Sequence, residues 1–297
     1  MQHRWRVRGA GRRAEATVSI TARTTMDAPA PGAAAQGRSY RDVLVFLSAG
    51  DNAPARLDAA IALAAQHGAR LTGVDVNHPA VFETDRAPRA IGLEETFMQR
   101  AHAAHLQCRF HAAGRQDGAG WKSFYAHFAD LVIAPPVSEA DARLVLPGIP
   151  EEVLLNAGVP VLVIPDLWRP QPLGRRVVLS WNASREATRA VHDALPILLR
   201  AEHVTIFAFD WRHDVLKEET DLLLSHLAAH GVPATPYTWP ANGGIGPVDA
   251  LFSCLSEEGS DLIVAGGYGH SRMLERLLGG ATRTLMHTLT VPVILSH

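Results

Sequence analysis

Residues 261–297 read DLIVAGGYGHSRMLERLLGGATRTLMHTLTVPVILSH, and the order of residue types in this stretch decides how the rest of the chain is read. An apolar run at 262–265 is followed by Gly266 and Gly269, a nine-residue spacer, a glycine pair at Gly279 and Gly280, a helix start, and a last apolar run after Pro292. A short apolar run bounded by Asp and Gly is what a strand buried on both faces of a parallel sheet requires. Glycines after such a strand let the backbone turn tightly and approach a ligand with no Cβ in the way. The unpaired N–H groups of a helix's first turn then favour an anion. The spacing fits a phosphate cradle, and it also fits a plain reversal between strand and helix. His270 and Arg272 stand in the spacer. They read either as solvated loop residues or as phosphate contacts, the arginine a charged donor fork and the histidine a pH-sensitive one.

Working outward, the same pieces occur earlier in the chain. ADLVIAPP at 129–136 matches SDLIVAGG at 260–267, and GVPVLVIP at 158–165 matches TVPVILSH at 290–297. Asp261 lies 131 residues after Asp130, and Pro292 lies 132 after Pro160. A near-constant offset across separate elements marks an internal repeat. Each copy opens with a βαβ pattern. In the first, RDVLVFLS is a strand, NAPARLDAAIALAAQHG a helix and ARLTGVDV a strand; in the second, RRVVLSWNAS, REATRAVHDALPILL and HVTIFAFD follow the same order. Asn52 or a neighbour caps the first helix, Pro54 suits its first turn and Gly68 its end, while Leu57, Ile61 and Ala64 line one apolar face. Pro196 is expected to kink or end the second helix near Asp193 or Ala194. Between the copies, PDLWRPQPLG at 165–174 has the composition of an interdomain linker.

Alternating strands and helices over about 130 residues per copy predict two doubly wound parallel-sheet domains, Rossmann-like in class. The expected boundaries are a disordered tail at 1–39, a first domain at 40–165, a linker at 166–174 and a second domain at 175–297. The tail carries Arg4, Arg6, Arg8, Arg12 and Arg13 but no apolar core behind Arg12-Arg13, so a twin-arginine signal fails, and Met26 is an alternative start. A formal charge of −2 points to neither nucleic acid nor a membrane surface as partner. The two cysteines, Cys108 and Cys254, make no disulfide framework and suit a reducing cytoplasm. No run reaches the roughly 18 apolar residues a membrane helix needs.

The composite of G-x-x-G, nine residues, then glycine and a small residue, set between a DLIVAG strand and a PV-apolar final strand, resembles the universal stress protein family. The resemblance covers both copies, from about Tyr40 onward, so the chain looks like a tandem member: two domains of the adenine nucleotide alpha hydrolase-like fold packed as a pseudo-dimer. It implies an adenine nucleotide, ATP foremost and with or without Mg, in the second domain. Gly266 and Gly269 would turn beside ribose and phosphates, Gly279 would belong to the glycine motif that cradles the phosphates, and the amides of Gly280, Ala281 and Thr282 would face them. Asn182 stands where the family has aspartate, and main chain at Ala208 and Phe209 would meet adenine. Gly280 replaces the usual Ser or Thr, which removes one hydroxyl hydrogen bond worth about 1 kcal/mol. In the first copy Pro135 and Ser138 fall where Gly266 and Gly269 would, and only Gly148 matches its counterpart, Gly279. Proline has a fixed φ and no N–H, so that copy reads as a non-binding partner.

The resemblance also implies contact through the last strands, Val161 to Ile164 against Val293 to Leu295, with a homodimer as a further arrangement. No P-loop and no G-x-S-x-G elbow is present, so catalysis is limited at most to slow ATP hydrolysis with no nameable catalytic residue. Asp75 and Asp210 end equivalent strands and read as loop-orienting residues. His102 and His105 share i, i+3 spacing but no third ligand, so no metal site is expected. The expected role is regulatory or protective in the stress response, with an unidentified protein partner. The alternative is a nucleotide-independent scaffold or interaction module.

Overall fold

The computed structural model describes residues 39–47, 53–75, 88–112, 125–136, 149–209, 214–239, 246–267 and 291–297. The first half runs β1 (Asp42–Leu47), α1 (Ala53–His67), β2 (Arg70–Asp75), α2 (Pro88–Ala103), β3 (Cys108–Ala112), β4 (Leu131–Ala134), α3 (Ile149–Asn156) and β5 (Val161–Val163). The second runs β6 (Arg176–Ser180), α4 (Arg185–Leu198), β7 (His203–Ala208), α5 (Asp214–Ala229), β8 (Ala234–Thr238), α6 (Pro247–Glu258), β9 (Leu262–Gly266) and β10 (Val293–Ser296). Both βαβ openings and the four quoted apolar runs fall on strands and helices as the patterning predicts.

The ten strands of the described residues join one sheet in the order β3-β2-β1-β4-β5-β10-β9-β6-β7-β8. Read outward from the middle, each half has the same order, and every pairing within a half is parallel. The seam alone is antiparallel, with Val163 opposite Val293, Leu162 opposite Ile294 and Val161 opposite Leu295. These are the strands expected to meet. Because the seam is antiparallel, the carboxyl ends of the two halves' strands open at opposite ends of the sheet. Helices cover both faces: α1, α2, α4 and α5 contribute to one buried cluster, and α3 and α6 to the other. Apolar strand residues on both sides explain why the strands read as continuous apolar runs rather than alternating ones.

Two aspartates that marked the repeat share one structural task. The Asp130 carboxylate accepts the backbone N–H of Arg41 and of Asp42, at 2.7 and 3.0 Å. Asp261 does the same in the second half, accepting from Gly174, Arg175 and Arg176 at 2.8, 3.0 and 3.2 Å. Each carboxylate clips the start of its half's first strand to the start of the neighbouring one. Burial pushes the Asp261 carboxyl up, against the three amides that favour its charge.

The segment between the halves is anchored at two buried residues, Trp168 and Gly174. Trp168 is 2% exposed and belongs to the core cluster that spans both halves. Gly174 adopts φ +80, with Ile197 Cγ2 only 2.5 Å from where a Cβ would stand. Gly68 likewise takes φ +62 just past α1, the left-handed position the sequence assigned to it.

The helix does not end near Asp193 or Ala194: α4 continues through Pro196 to Leu198. Its buried face, including Ala190, Val191, Ala194, Leu195, Ile197 and Leu198, anchors it on the sheet. The helix also finds outside partners there, since the Tyr40 hydroxyl donates to the Asp193 carbonyl at 2.8 Å and Arg200 to the Pro196 carbonyl at 3.0 Å. Packing and these bonds offset the hydrogen bond that proline lacks. His102 and His105 do not share a helical face: α2 ends at Ala103, and His105 follows in a turn at φ +56.

Candidate functional site

In a doubly wound sheet, ligands gather at strand carboxyl ends where the winding direction reverses. In the second half that point lies at β6, flanked by β9 on one side and β7 on the other. Asn182 follows β6, Ala208 closes β7 with Phe209 next after it, and Gly266 closes β9, so the fold brings these four predicted residues to one end of three adjacent strands. Gly269, His270, Arg272, Gly279, Gly280, Ala281 and Thr282 lie outside the described residues, as does Asp210.

The link from β6 to α4 is built from its own side chains. Asn182 Oδ1 accepts the Ser184 N–H at 3.2 Å, and Ala183 sits in the left-handed region at φ +57. This is an Asx turn, in which a side-chain oxygen stands in for a backbone one. Ser184 then caps α4, its hydroxyl accepting the Ala187 N–H at 3.1 Å. The exposed Asn182 therefore spends its oxygen on the turn, and its NH2 donors take no part in that bond. Sequence reading placed Asn182 but missed Ser184. The signal was present, a serine directly before the apolar period with an acidic residue in the first turn.

Gly266 has a steric reason to be glycine. A Cβ there would lie 2.5 Å from the Ala187 nitrogen and 2.6 Å from the Glu186 carbonyl carbon, so α4 starts directly on the end of β9. Gly266→Ala is expected to destabilise the protein by about 1–3 kcal/mol, because backbone rather than a mobile side chain must give way. At Gly267 the close contact of a Cβ would be with the tip of Leu154, Cδ2 at 2.6 Å, while the Ser296 carbonyl oxygen stands at an ordinary 3.6 Å. Gly267→Ala should cost less, and a comparison of urea midpoints checks the order.

Glu186, beside Gly266, keeps its carboxyl below the usual range. Its own backbone N–H is the main cause, acting against burial, with Arg185, the Ser184 hydroxyl and His297 adding to it. His297 in turn bonds through Nδ1 to the Gly267 carbonyl at 3.0 Å. The first half reaches this end of the sheet as well, through Leu154 on Gly267 and through the Gly158 carbonyl, which accepts from Arg189 of α4 at 2.6 Å. In the first half's counterpart crevice, Pro135 follows β4 and the buried Asp75 closes β2. There the buried Arg56 donates through Nε to the Phe46 carbonyl at 2.9 Å, and burial lowers its pKa to about 10. Among the described residues no group of three side chains is set to hold a metal, and no helix is long and apolar enough to cross a membrane.

The strand order, the antiparallel seam and the two-sided helix layers define an α/β protein of the doubly wound parallel class. Its fold is that of the universal stress proteins. A universal stress protein from Archaeoglobus fulgidus DSM 4304 is similar over 85% of this chain and 95% of its own, with 15% identity and a TM-score of 0.63. A protein of unknown function from Pseudomonas aeruginosa PAO1 is similar over 89% and 94%, with 16% identity and a TM-score of 0.55. No family model and no curated protein matches the sequence.

Proposed function

We propose that the chain is a tandem universal stress protein whose second half binds an adenine nucleotide, ATP foremost, and whose liganded state is read by a protein partner in a regulatory or protective response. The observation that carries this reading is the meeting of Asn182, Ala208, Phe209 and Gly266 at the carboxyl ends of β6, β7 and β9, where the winding reverses. In this reading the amides of Gly279 to Thr282 hold the phosphates, Gly269 completes the turn, and His270 and Arg272 add charge. Asn182 offers donors to the nucleoside. The first half, with Pro135 in its turn, supports the second and binds no nucleotide. Binding shifts a conformational population rather than driving chemistry, beyond at most slow hydrolysis.

A second reading, a nucleotide-independent scaffold, is favoured by one observation: the close seat of α4 on Gly266 already explains that glycine without a ligand. Isothermal titration with ATP, ADP and AMP, with and without Mg, separates the two. Micromolar or tighter ATP binding that Gly279→Asp abolishes is the expected result, since a carboxylate would then face phosphate. Binding that survives Gly279→Asp would move the site elsewhere, and no binding by the unaltered protein would favour the scaffold.

A further inference from the structure

A cluster away from the crevice joins the two halves through one histidine. His67 ends α1 and is 4% exposed, with its ring centroid 4.9 Å from that of Tyr40. Ser39 donates its hydroxyl to the His67 carbonyl at 3.0 Å, so His67 Nδ1–H donates to the Ser39 oxygen at 3.1 Å. The other ring nitrogen, Nε2, is buried with no hydrogen-bond partner. Tyr40 is 3% exposed and carries the contact across, its hydroxyl donating to the Asp193 carbonyl of α4.

We propose that His67 is an acid-sensitive latch between the halves: as the neutral imidazole it seats Tyr40 against α4, and on protonation it releases that joint. The physical cause is local. A proton on Nε2 would create a buried N–H with nothing to accept it, next to a cation rather than an anion. The charged groups that face the cluster are Arg200 at the end of α4, which acts on His67, and Asp193 and Asp130, which act on Tyr40. Both carboxylates lie toward Tyr40, so Arg200 is the charge that the imidazolium would meet. Burial, with Arg200 adding, lowers the His67 pKa to about 4.

The sign follows. A histidine whose pKa is depressed by folding contributes stability above its unfolded value near 6.5, and loses it as pH falls toward the folded value. Opening of the joint should therefore rise by about a hundredfold between pH 6.5 and pH 4. Because α4 also starts on Gly266, its release loosens a wall of the candidate crevice.

Hydrogen exchange of the full chain from pH 7.5 to 4.5, corrected for intrinsic rates, tests the latch. In the unaltered protein, α4 amides should gain exchange on acidification ahead of β1 and β6. His67→Gln, which never charges, should remove that excess. Tyr40→Phe, which keeps the ring and loses the bond to Asp193, should loosen α4 already at neutral pH. Should His67→Gln fold poorly, NMR titration of the unaltered protein decides the matter: the His67 ring is expected to titrate near pH 4 together with the Tyr40 ring signals. An equal acid response in His67→Gln, uniform loosening across the sheet, or His67 titrating near 6.5 with Tyr40 unmoved would each overturn the proposal.

Discussion

Ile294→Asp is expected to leave the chain unfolded under conditions where the unaltered protein is fully native. Ile294 has no exposed surface, lies on the strand between β5 and β9, and stands directly opposite the equally buried Leu162 across the seam. A carboxylate at that position would sit inside the apolar cluster that holds Ile294 and must either stay charged in an apolar medium or take up a proton. Added to the lost isoleucine contacts, the cost is on the order of 5 kcal/mol or more. That is comparable with the whole stability of an ordinary domain, about 5–15 kcal/mol. The milder Ile294→Ala should cost about 2–5 kcal/mol. Combined with Leu162→Ala it should show a coupling of about 0.5–3 kcal/mol, because the two side chains share one site. Circular dichroism against urea reads both. Leu222→Asp, at a residue 65% exposed, is the control and should stay within about 0.5 kcal/mol. A folded Ile294→Asp protein with a near-normal midpoint would mean that the halves do not depend on the seam.

Trp168→Ala should cost about 3–5 kcal/mol, the largest loss expected from any single truncation in the segment between the halves. Trp168 is buried in the cluster that includes residues of both halves, although its neighbours Asp166, Leu167 and Arg169 are exposed. Its indole Nε1 is buried without a hydrogen-bond partner. The ring therefore contributes through area and packing, and its N–H works against it. Trp168→Phe should for this reason recover most of the loss that Trp168→Ala incurs. If alanine were tolerated with little change in urea midpoint, the segment would be a tether after all.

The fold was readable in the sequence because its strands are buried on both faces and its turns are punctuated by Gly and Pro. Runs such as LVIA and LIVAG announce parallel strands, and their fixed spacing showed that the same topology occurs twice. The roles of particular residues were less readable, for physical reasons that can be named. Asp130 and Asp261 served as repeat markers, but the amides they hold belong to a strand some 90 residues earlier, a distance no local pattern spans. Pro196 carries a local penalty that the buried face of α4 and the Tyr40 and Arg200 bonds outweigh. Gly266 was read through ligand approach, while its tightest neighbour is a helix arriving from elsewhere in the chain. Of the candidate site, the β6, β7 and β9 ends were placed correctly on strand termini. The rest of the glycine segment lies outside the described residues, so its part in the site stays with the titration.

The central seam also sets a clock on synthesis. β5 is complete at Val163, yet its partner β10 begins only at Val293. At about 5–20 residues per second, the ribosome takes roughly 7–26 s to supply the missing strand. Throughout that interval the first half presents an open, apolar strand with unpaired backbone groups, the kind of surface on which neighbouring nascent chains associate. A protein that keeps its own partner strand in reserve must therefore be shielded while it is being made, and chaperone demand should fall on the first half rather than on the finished molecule.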